Sequence, residues 1–292
     1  MDDVNESKNN LDKEQHLGTQ RETEPMTGLR MFNLSQPWGH HMPEWPSTPG
    51  VNVNVKKFHA KDGVYQTEFE GIMHRGTHMD APIHVTENTP HIMDYALWRF
   101  FGTGVAVSIP KSKWEVITPE DLENATPKIR EGDMVFINTG MHHRMADSDD
   151  YFAYSPGIYT DGAQWLVDKK VKLVGYDVQS NDHPMATKLV DHGLGPTHPH
   201  LIEEYKQEFG RDPKEDFPNW ESGHKTLMIG GGIPGIENVG GDLDAVTGKR
   251  CTFMCFPWRW EGGDGCGVRI LAVLDPDQKF RFERGQNLSE GT

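Results

Sequence analysis

Four residues able to bind a metal ion or carry a proton fall within one stretch of eleven positions. They are His74, His78, Asp80 and His84. All offsets from the first histidine are even, so an extended backbone, whose side chains alternate with a period of two, would point the four to one side. A helix, at about 100° per residue, would turn the last two away from the first two. The pattern therefore predicts an extended segment with a one-sided row of imidazoles and a carboxylate.

The residue types in this row indicate metal-assisted hydrolysis. Two imidazoles and a carboxylate suit a borderline divalent cation such as Zn²⁺ or Mn²⁺, and three protein ligands leave positions open for water and substrate. Such an ion activates water and polarises a carbonyl group. We therefore predict that His74, His78 and Asp80 bind the metal. His84, whose ordinary pKa is about 6.5, is predicted to act as general acid and base. Chance clustering on a wet surface is the alternative, and it explains a single histidine better than the whole set.

Strand and helix signals alternate along most of the chain after residue 100. Short β-branched or apolar runs predict strands at 104–109, 133–140, 171–178, 251–256 and 267–274. Thr118 begins a capping box with proline at the first helical position, and the apolar spacing over 161–170 predicts a second helix. The alternation predicts an α/β fold with a substantial sheet, which would hold the metal-binding segment in place.

Two segments stand apart from this pattern. Residues 1–27 are rich in charged and amide side chains, so we predict a disordered acidic tail before a domain over 28–292. The stretch 183–223 combines HGLGPTHPH, an acidic amphipathic run and many turn residues, and it is interpreted as an insertion between core elements. Its histidines favour a structural loop, with a cap over the active site as the alternative. They are His183, His192, His198 and His200.

Composition excludes several classes of partner. The 29 basic and 44 acidic residues give a net charge of −15, which repels nucleic-acid phosphates and anionic lipid headgroups. No apolar run approaches the roughly 20 residues that span a bilayer, and the first residues lack the features of a signal peptide. We therefore predict a soluble cytoplasmic protein that binds neither nucleic acid nor membranes. The cysteines are interpreted as core thiols rather than a thiolate metal site. They are Cys251, Cys255 and Cys266.

The segment from His74 to His84 resembles a known signature, His-x-Gly-Thr-His-x-Asp-x-Pro-x-His, and matches it completely. This is the signature of the cyclase family of metal-dependent hydrolases, which contains bacterial kynurenine formamidase and isatin hydrolase. The resemblance extends over roughly residues 30–275 and includes HKTLMIGGGIPGIENVGGDLD and FPWRWEGGDGCGVRILAV. It implies a single domain with the family's swivelling β/α fold and mixed sheet, in a homodimer or higher homo-oligomer.

The same resemblance implies roles for further residues. In the two-metal formamidases a later histidine and glutamate complete a second site, and the counterpart of Asp80 bridges the two ions. His224 and Glu237 match those positions. In isatin hydrolase a serine stands at the glutamate position and one manganese suffices, so one or two Mn²⁺ or Zn²⁺ ions remain open. A surface histidine and a solvated glutamate are the alternative interpretation.

The predicted reaction is hydrolysis of a small molecule, either opening of a cyclic amide or cleavage of an N-formyl or aryl amide. A lactone hydrolase with the same machinery is one alternative, and a non-catalytic protein that binds a metal or ligand is another. Trp38 and Phe58 are candidate substrate contacts, although large aromatic side chains more often belong to the core. The adjacent pairs 40–41 and 142–143 are histidines whose side chains would diverge on a strand, and they are interpreted as residues of solvated loops.

Overall fold

The apolar runs of the sequence form the centre of a ten-stranded sheet in the computed structural model, which describes residues 21–40, 42–46, 48–190 and 195–277. The strands, numbered in chain order, are β1 Arg21–Thr23, β2 Arg30–Asn33, β3 Asn52–Lys57, β4 Gln66–Glu70, β5 His78–Asp80, β6 Phe101–Ser108, β7 Val116–Ile117, β8 Met134–Asn138, β9 Gly157–Ile158, β10 Leu173–Tyr176, β11 Gly235–Glu237, β12 Lys249–Met254, β13 Gly265–Gly267 and β14 Leu271–Leu274. Their order across the large sheet is β1-β2-β14-β12-β6-β8-β10-β11-β5-β13.

The sheet is mixed, as predicted. Strands β6, β8, β10 and β11 run parallel to their neighbours at its centre. The flanking strands pair antiparallel, with β5 beside β11 on one side and β12 beside β6 on the other. The carboxyl ends of the parallel strands therefore meet at one edge, where the loops that follow them can gather functional side chains.

Helices cover the sheet and connect its strands. The α-helices are α1 His59–Asp62, α2 Pro119–Asn124, α3 Asp149–Phe152, α4 Thr160–Asp168, α5 His200–Phe209, α6 Pro213–Asp216, α7 Ser222–His224 and α8 Leu243–Val246. The 3₁₀ helices are Pro82–His84, Ile92–Asp94, Leu97–Phe100, Met141–Arg144 and Pro184–Ala186, and Lys225–Gly230 forms a π-helix. The capping box predicted at Thr118 is present, because its hydroxyl accepts from the Asp121 amide at 3.2 Å.

Strand β8 shows why the central strands lack an alternating pattern. Met134 and Phe136 point into one core cluster, whereas Val135 and Ile137 point into another. All four are fully buried, since the sheet is covered on both faces. The two clusters and the sheet between them form one α/β domain, as predicted.

Residues 183–223 pack against this domain through a third cluster. Leu189, Leu201 and Phe217 contact the buried Trp114 and Phe152, which come from earlier parts of the chain. The amphipathic run of the sequence forms α5 within it. The segment is therefore built into the body of the protein, except for residues 191–194, which lie outside the described residues.

The structure corrects one predicted boundary. Residues 1–20 of the predicted tail lie outside the described residues, but Arg21–Thr23 form β1 and pair antiparallel with β2. Backbone hydrogen bonding to a sheet edge orders a polar segment without an apolar core, and composition alone does not show this. Among the described residues, no helix has the length and apolar character needed to cross a membrane.

Candidate metal centre

Strand β5 places its alternate side chains on opposite faces of the sheet. Met79 is fully buried in the core, while His78 and Asp80 point the other way. His78 lies directly opposite Glu237 of β11 in the antiparallel register, and its Nε2 is 3.4 Å from Oε2 of that glutamate. The even spacing seen in the sequence therefore holds for this pair.

His74 reaches the same place from the irregular segment before β5. Its Nδ1 is 2.7 Å from Oδ1 of Asp80, and its Nε2 is 2.9 Å from Oδ2 of Asp264. Gly265 of β13 leaves room for this ring, because a Cβ there would lie 2.7 Å from Cε1 of His74. The imidazole thus lies between two carboxylates and packs against the backbone of a glycine.

The backbone that carries His84 has a conformation that the sequence pattern did not predict. The prediction of an extended backbone is wrong beyond Asp80, since Pro82 begins the 3₁₀ helix that ends at His84. The turn nevertheless stacks the His84 ring on that of His74, with centroids 3.8 Å apart. His84 therefore lies beside the cluster although the backbone carrying it is helical.

The two residues inferred from the family resemblance join the same cluster. Nε2 of His224 is 3.4 Å from Oδ2 of Asp80 and 3.1 Å from Oε1 of Glu237. Ligand atoms of the cluster fall into three groups. The first comprises His74, His78 and Asp80, and the second comprises Asp80, His224 and Glu237, so the aspartate belongs to both. In the third, His84 is grouped with His74 and Asp264.

Neighbouring groups orient these side chains. Nδ1–H of His78 donates to the carbonyl of Gly76 at 2.8 Å, which leaves Nε2 as the atom facing the centre. Nδ1 of His224 pairs in the same manner with the buried carboxylate of Asp182. Partners of this kind fix the tautomer and the ring orientation of a metal-binding histidine.

Three of the surrounding groups were missed by sequence reasoning. Asp182 and Asp264 are held against histidines, and the amide of Asn181 donates to Oε1 of Glu237 at 2.8 Å. Asp264 lies 190 residues from His74 in sequence. No spacing rule links such positions, so only the strand order reveals them.

The buried carboxylates of the cluster favour a positive charge on the histidines beside them. Burial opposes protonation of His74, but hydrogen bonds to Asp264 and Asp80 outweigh it and raise its pKa to about 10. Burial is likewise outweighed by neighbouring carboxylates at His78 and His224, whose pKa values are raised. In the metal-free protein, protons on the imidazoles supply the positive charge that the carboxylates favour, and a bound cation would displace these protons.

His84 behaves differently from these histidines. Its ring borders the open cavity, and the desolvation imposed by the surrounding protein lowers its pKa to about 4. The attraction of Asp80 for a proton on this ring is outweighed by desolvation and by the positive charge of His74. His84 is thus a neutral imidazole near pH 7, with a lone pair available to accept a proton.

Unsatisfied atoms at the middle of the cluster provide a test of whether the residues fit a metal. Nε2 of His78 and Oδ2 of Asp80 are buried and have no hydrogen-bond partner. Buried polar atoms are rarely left unpaired, because the loss of water costs about 1–3 kcal/mol for each. Both atoms are of the type that binds a borderline divalent cation. The donor set and its geometry therefore fit a divalent metal.

A cavity of about 770 Å³ opens over the cluster. Its walls include Trp45 and several residues of the 183–223 segment, among them Lys188, Trp220 and Glu221. That segment was interpreted as a structural loop with a capping role as the alternative, and the structure shows it both packed in the body and lining the cavity.

The two predicted substrate contacts lie elsewhere in this chain. Trp38 lines a separate apolar cavity, where its ring lies 5.3 Å from that of Phe69. Phe58 precedes α1 in the exposed connection between β3 and β4 and is 49% exposed. Neither borders the cavity over the histidines. Aromatic type without a known position did not distinguish these residues from Trp45 and Trp220.

A comparison with known proteins matches about half of the chain to one protein family. The Cyclase family model, described as "Putative cyclase", matches residues 32–183. Cyclase-like protein 1 from Arabidopsis thaliana is 26% identical over 257 residues, which cover 84% of this chain and 86% of that protein. A kynurenine formamidase from Bacillus mycoides is 25% identical over 158 residues, covering 54% of this chain and 72% of the relative.

Among solved structures, isatin hydrolase A from Ralstonia solanacearum superposes with a TM-score of 0.66 at 20% sequence identity. The superposition covers 84% of this chain and 92% of that structure. At this level of identity the likeness concerns the fold.

Proposed function

The chain belongs to the cyclase family, and from this premise we propose that it is a metal-dependent hydrolase acting on carbon–nitrogen bonds. Its substrate is a small molecule that contains a cyclic amide or an N-formyl or aryl amide. The relatives described as kynurenine formamidase and isatin hydrolase support amide chemistry.

One observation carries this proposal. Three imidazoles and two carboxylates meet at the floor of a cavity, two of their buried atoms have no hydrogen-bond partner, and His84 lies beside them. A centre that only stabilises the fold would be closed by its ligands. Here the cavity leaves space for a substrate over the ligand atoms.

The protein residues hold and orient the reacting groups. His74, His78 and Asp80 would hold one ion, and Asp80 with His224 and Glu237 would hold a second. A bound divalent ion, Mn²⁺ or Zn²⁺, supplies a lowered pKa for water and polarisation of the substrate carbonyl. Asp182 and the Gly76 carbonyl keep the histidine rings in the orientation that this requires.

His84 would move the proton. Its neutral ring accepts a proton from water on an imidazole nitrogen and then donates that proton to the departing amide nitrogen. The stack on His74 fixes the plane of the ring, and one ring nitrogen lies within 4.8 Å of ligand atoms of His74 and Asp264. The ring therefore stays available at the border of the cavity.

The cavity walls support an aromatic substrate. Trp45 and Trp220 offer flat apolar surface on which an aryl ring can pack. Lys188 adds an ammonium group to the cavity wall, and this charge would complement a carboxylate released by hydrolysis.

A substrate panel tests the proposal. We would remove metal from the purified chain, restore Mn²⁺ or Zn²⁺, and assay isatin, N-formylkynurenine, simple lactams and lactones. We expect metal-dependent turnover of at least one amide, and none for a His78→Ala variant. Turnover of lactones alone would replace the amide assignment by lactone hydrolysis. Binding of metal without any turnover would favour a non-catalytic metal-binding protein.

A further inference from the structure

A second cluster of histidines and aspartates lies away from the cavity. It lies at the carboxyl end of β8, where the chain enters the 3₁₀ helix Met141–Arg144. This helix carries His142 and His143, and Asp244 approaches them from helix α8. None of these three residues lines the cavity over the metal centre.

Asp177 fixes the orientation of His142. Its fully buried carboxylate accepts hydrogen bonds from the amide and hydroxyl of Thr139 at 2.9 and 2.7 Å and from the Gly140 amide at 3.0 Å. It also pairs with Nδ1 of His142 at 2.8 Å. Because this carboxylate is an acceptor beside Nδ1, it holds the proton of the ring on that nitrogen. The Nε2 lone pair of His142 then points away from Asp177.

This Nε2 atom has no hydrogen-bond partner although it is buried. The His142 side chain is only 5% exposed, and Oδ1 of Asp244 lies 3.3 Å from the unpartnered atom. Nε2 of His143 lies 3.0 Å from the other oxygen of Asp244. One atom from each of the three side chains therefore falls within 4.8 Å of the others.

The aspartate of this cluster is held in place by its surroundings. Nδ2 of Asn138 donates to Oδ1 of Asp244 at 3.0 Å and to the Thr247 hydroxyl at 2.9 Å. The geometry of the carboxylate is thus set by the end of β8 and by helix α8 together.

A surface ion pair is the simpler interpretation, and it corresponds to the solvated loop expected from the sequence. It accounts for His143 and Asp244, whose side chains are 61% and 58% exposed. Pairs of that kind contribute about 0–1 kcal/mol. It does not account for the geometry of His142, because the buried Nε2 lies 3.3 Å from a carboxylate that attracts it and still has no well-aligned hydrogen bond.

We propose that His142, His143 and Asp244 bind a divalent cation of the zinc class, separate from the ions at Asp80. Two imidazole nitrogens and one carboxylate oxygen favour a borderline cation with tetrahedral geometry, and solvent would supply the fourth ligand. The Asp177–His142 pair is the carboxylate–histidine arrangement that commonly supports such ligands. The cation would join the ends of β8 and β10 to α8.

The test is the number of ions bound by the full chain. Metal-free protein would be titrated calorimetrically with Zn²⁺ as wild type, His143→Ala and His200→Ala. The last variant is a matched control, because His200 also lies near an aspartate on the surface, with Nε2 3.7 Å from Asp149. We expect His143→Ala to bind one equivalent fewer than wild type and His200→Ala to bind the same number.

A second measurement assigns the lost ion. In nitrogen NMR of protein labelled at histidine, Zn²⁺ should shift the Nε2 signal of His142 in His200→Ala and leave it in place in His143→Ala. Equal stoichiometry in all three proteins would overturn the proposal. A His142 signal that does not shift when Zn²⁺ is added to wild type would overturn the proposal as well, because the ion lost in His143→Ala would then belong to another site.

Discussion

Asp80 holds the two groups of ligand atoms together. It contacts His74 and His78 on one side and His224 on the other, and it is fully buried. Burial opposes its ionisation, but the charge of His78 and the nearby imidazoles of His224 and His74 outweigh burial and lower its pKa well below the ordinary value. The carboxylate is therefore charged only because its neighbours are cationic or hold a cation.

At the residue scale, the first prediction concerns His84. Substitution His84→Ala should reduce kcat by about 10²- to 10⁴-fold, since a positioned proton carrier contributes about that much to a hydrolysis. Metal content should not change, because the His84 ring stacks on a ligand without being one of the five proposed ligands. Steady-state kinetics with elemental analysis would check both. The partly exposed His91→Ala is the control, and loss of metal in His84→Ala would contradict the assigned role.

The second prediction at this scale concerns Asp182, which the sequence did not indicate. Substitution Asp182→Asn should weaken metal affinity by about 10- to 100-fold, because asparagine has only one acceptor oxygen for the two donors that Asp182 serves, the Gly223 amide and Nδ1 of His224. Competition with a chelating dye measures this affinity. Asp161→Asn, in the first turn of α4, serves as a control that should not alter binding. Unchanged affinity in Asp182→Asn would show that the pair does not orient the ligand.

At the scale of elements, strand β13 constrains the metal centre through one glycine. A side chain at Gly265 would lie 2.7 Å from Cε1 of His74 and 2.8 Å from the carbonyl of Met79. Gly265→Ala should therefore displace the His74 ring, weaken metal binding and cost about 1–3 kcal/mol of stability. Chelator competition and chemical denaturation would measure the two effects. Gly39→Ala is the control, since nothing lies within 4 Å of the added Cβ. Equal behaviour of the two variants would refute the steric argument.

Another element, the 183–223 segment, is attached to the core through a histidine. His183 is fully buried, donates from Nε2 to the Trp114 carbonyl at 2.9 Å and accepts at Nδ1 from the Met185 amide at 3.2 Å. Both nitrogens of the neutral ring are thus used, and burial lowers its pKa to about 4. The unfolded chain takes up a proton near pH 6.5, so this residue reduces stability as pH falls from about 6.5 to about 4.

A glutamine at this position gives the fourth prediction. Gln offers one donor and one acceptor but does not titrate, so His183→Gln should lose less thermal stability than wild type between about pH 7 and about pH 5. The pH dependence of the free energy of unfolding should differ between wild type and His183→Gln by up to about 1.4 kcal/mol per pH unit, the value for one linked proton. Thermal melts at several pH values would measure this difference, with the partly exposed His91→Gln as control. Parallel pH profiles for wild type and His183→Gln would contradict this account.

At the scale of the whole molecule, the sequence allowed part of the structure to be predicted. The central strands and the capped helix at Thr118 could be predicted because each depends on a local run of residues. The cluster at 74–84 could be recognised because its members are close in sequence. Asp264 and the cavity wall at Trp220 could not, since their positions depend on which strands pair and on how the 183–223 segment folds back.

The centre also joins distant parts of the chain, and metal removal should therefore affect global stability. Its ligands lie on β5, on β11, at the end of α7 and in the loop before β5. An ion present at roughly 1,000 times its dissociation constant stabilises the folded state by about 4 kcal/mol. Treatment with a chelator should lower the melting temperature in differential scanning calorimetry, and added Mn²⁺ or Zn²⁺ should restore it. His78→Ala should respond much less, and an equal response would place the stabilising ion elsewhere.

The alternation of β5 has a consequence for the evolution of the chain. His78 and Asp80 face the cavity while Met79 packs in the core, and the strand is hydrogen-bonded on both sides by β11 and β13. A gain or loss of one residue within the strand would exchange the two faces, burying charge in the core and removing both ligands at once. The connections beyond the 74–84 segment carry no such constraint. Related sequences should therefore vary in length outside 74–84 and never within 78–80, a pattern that an alignment of homologues can check.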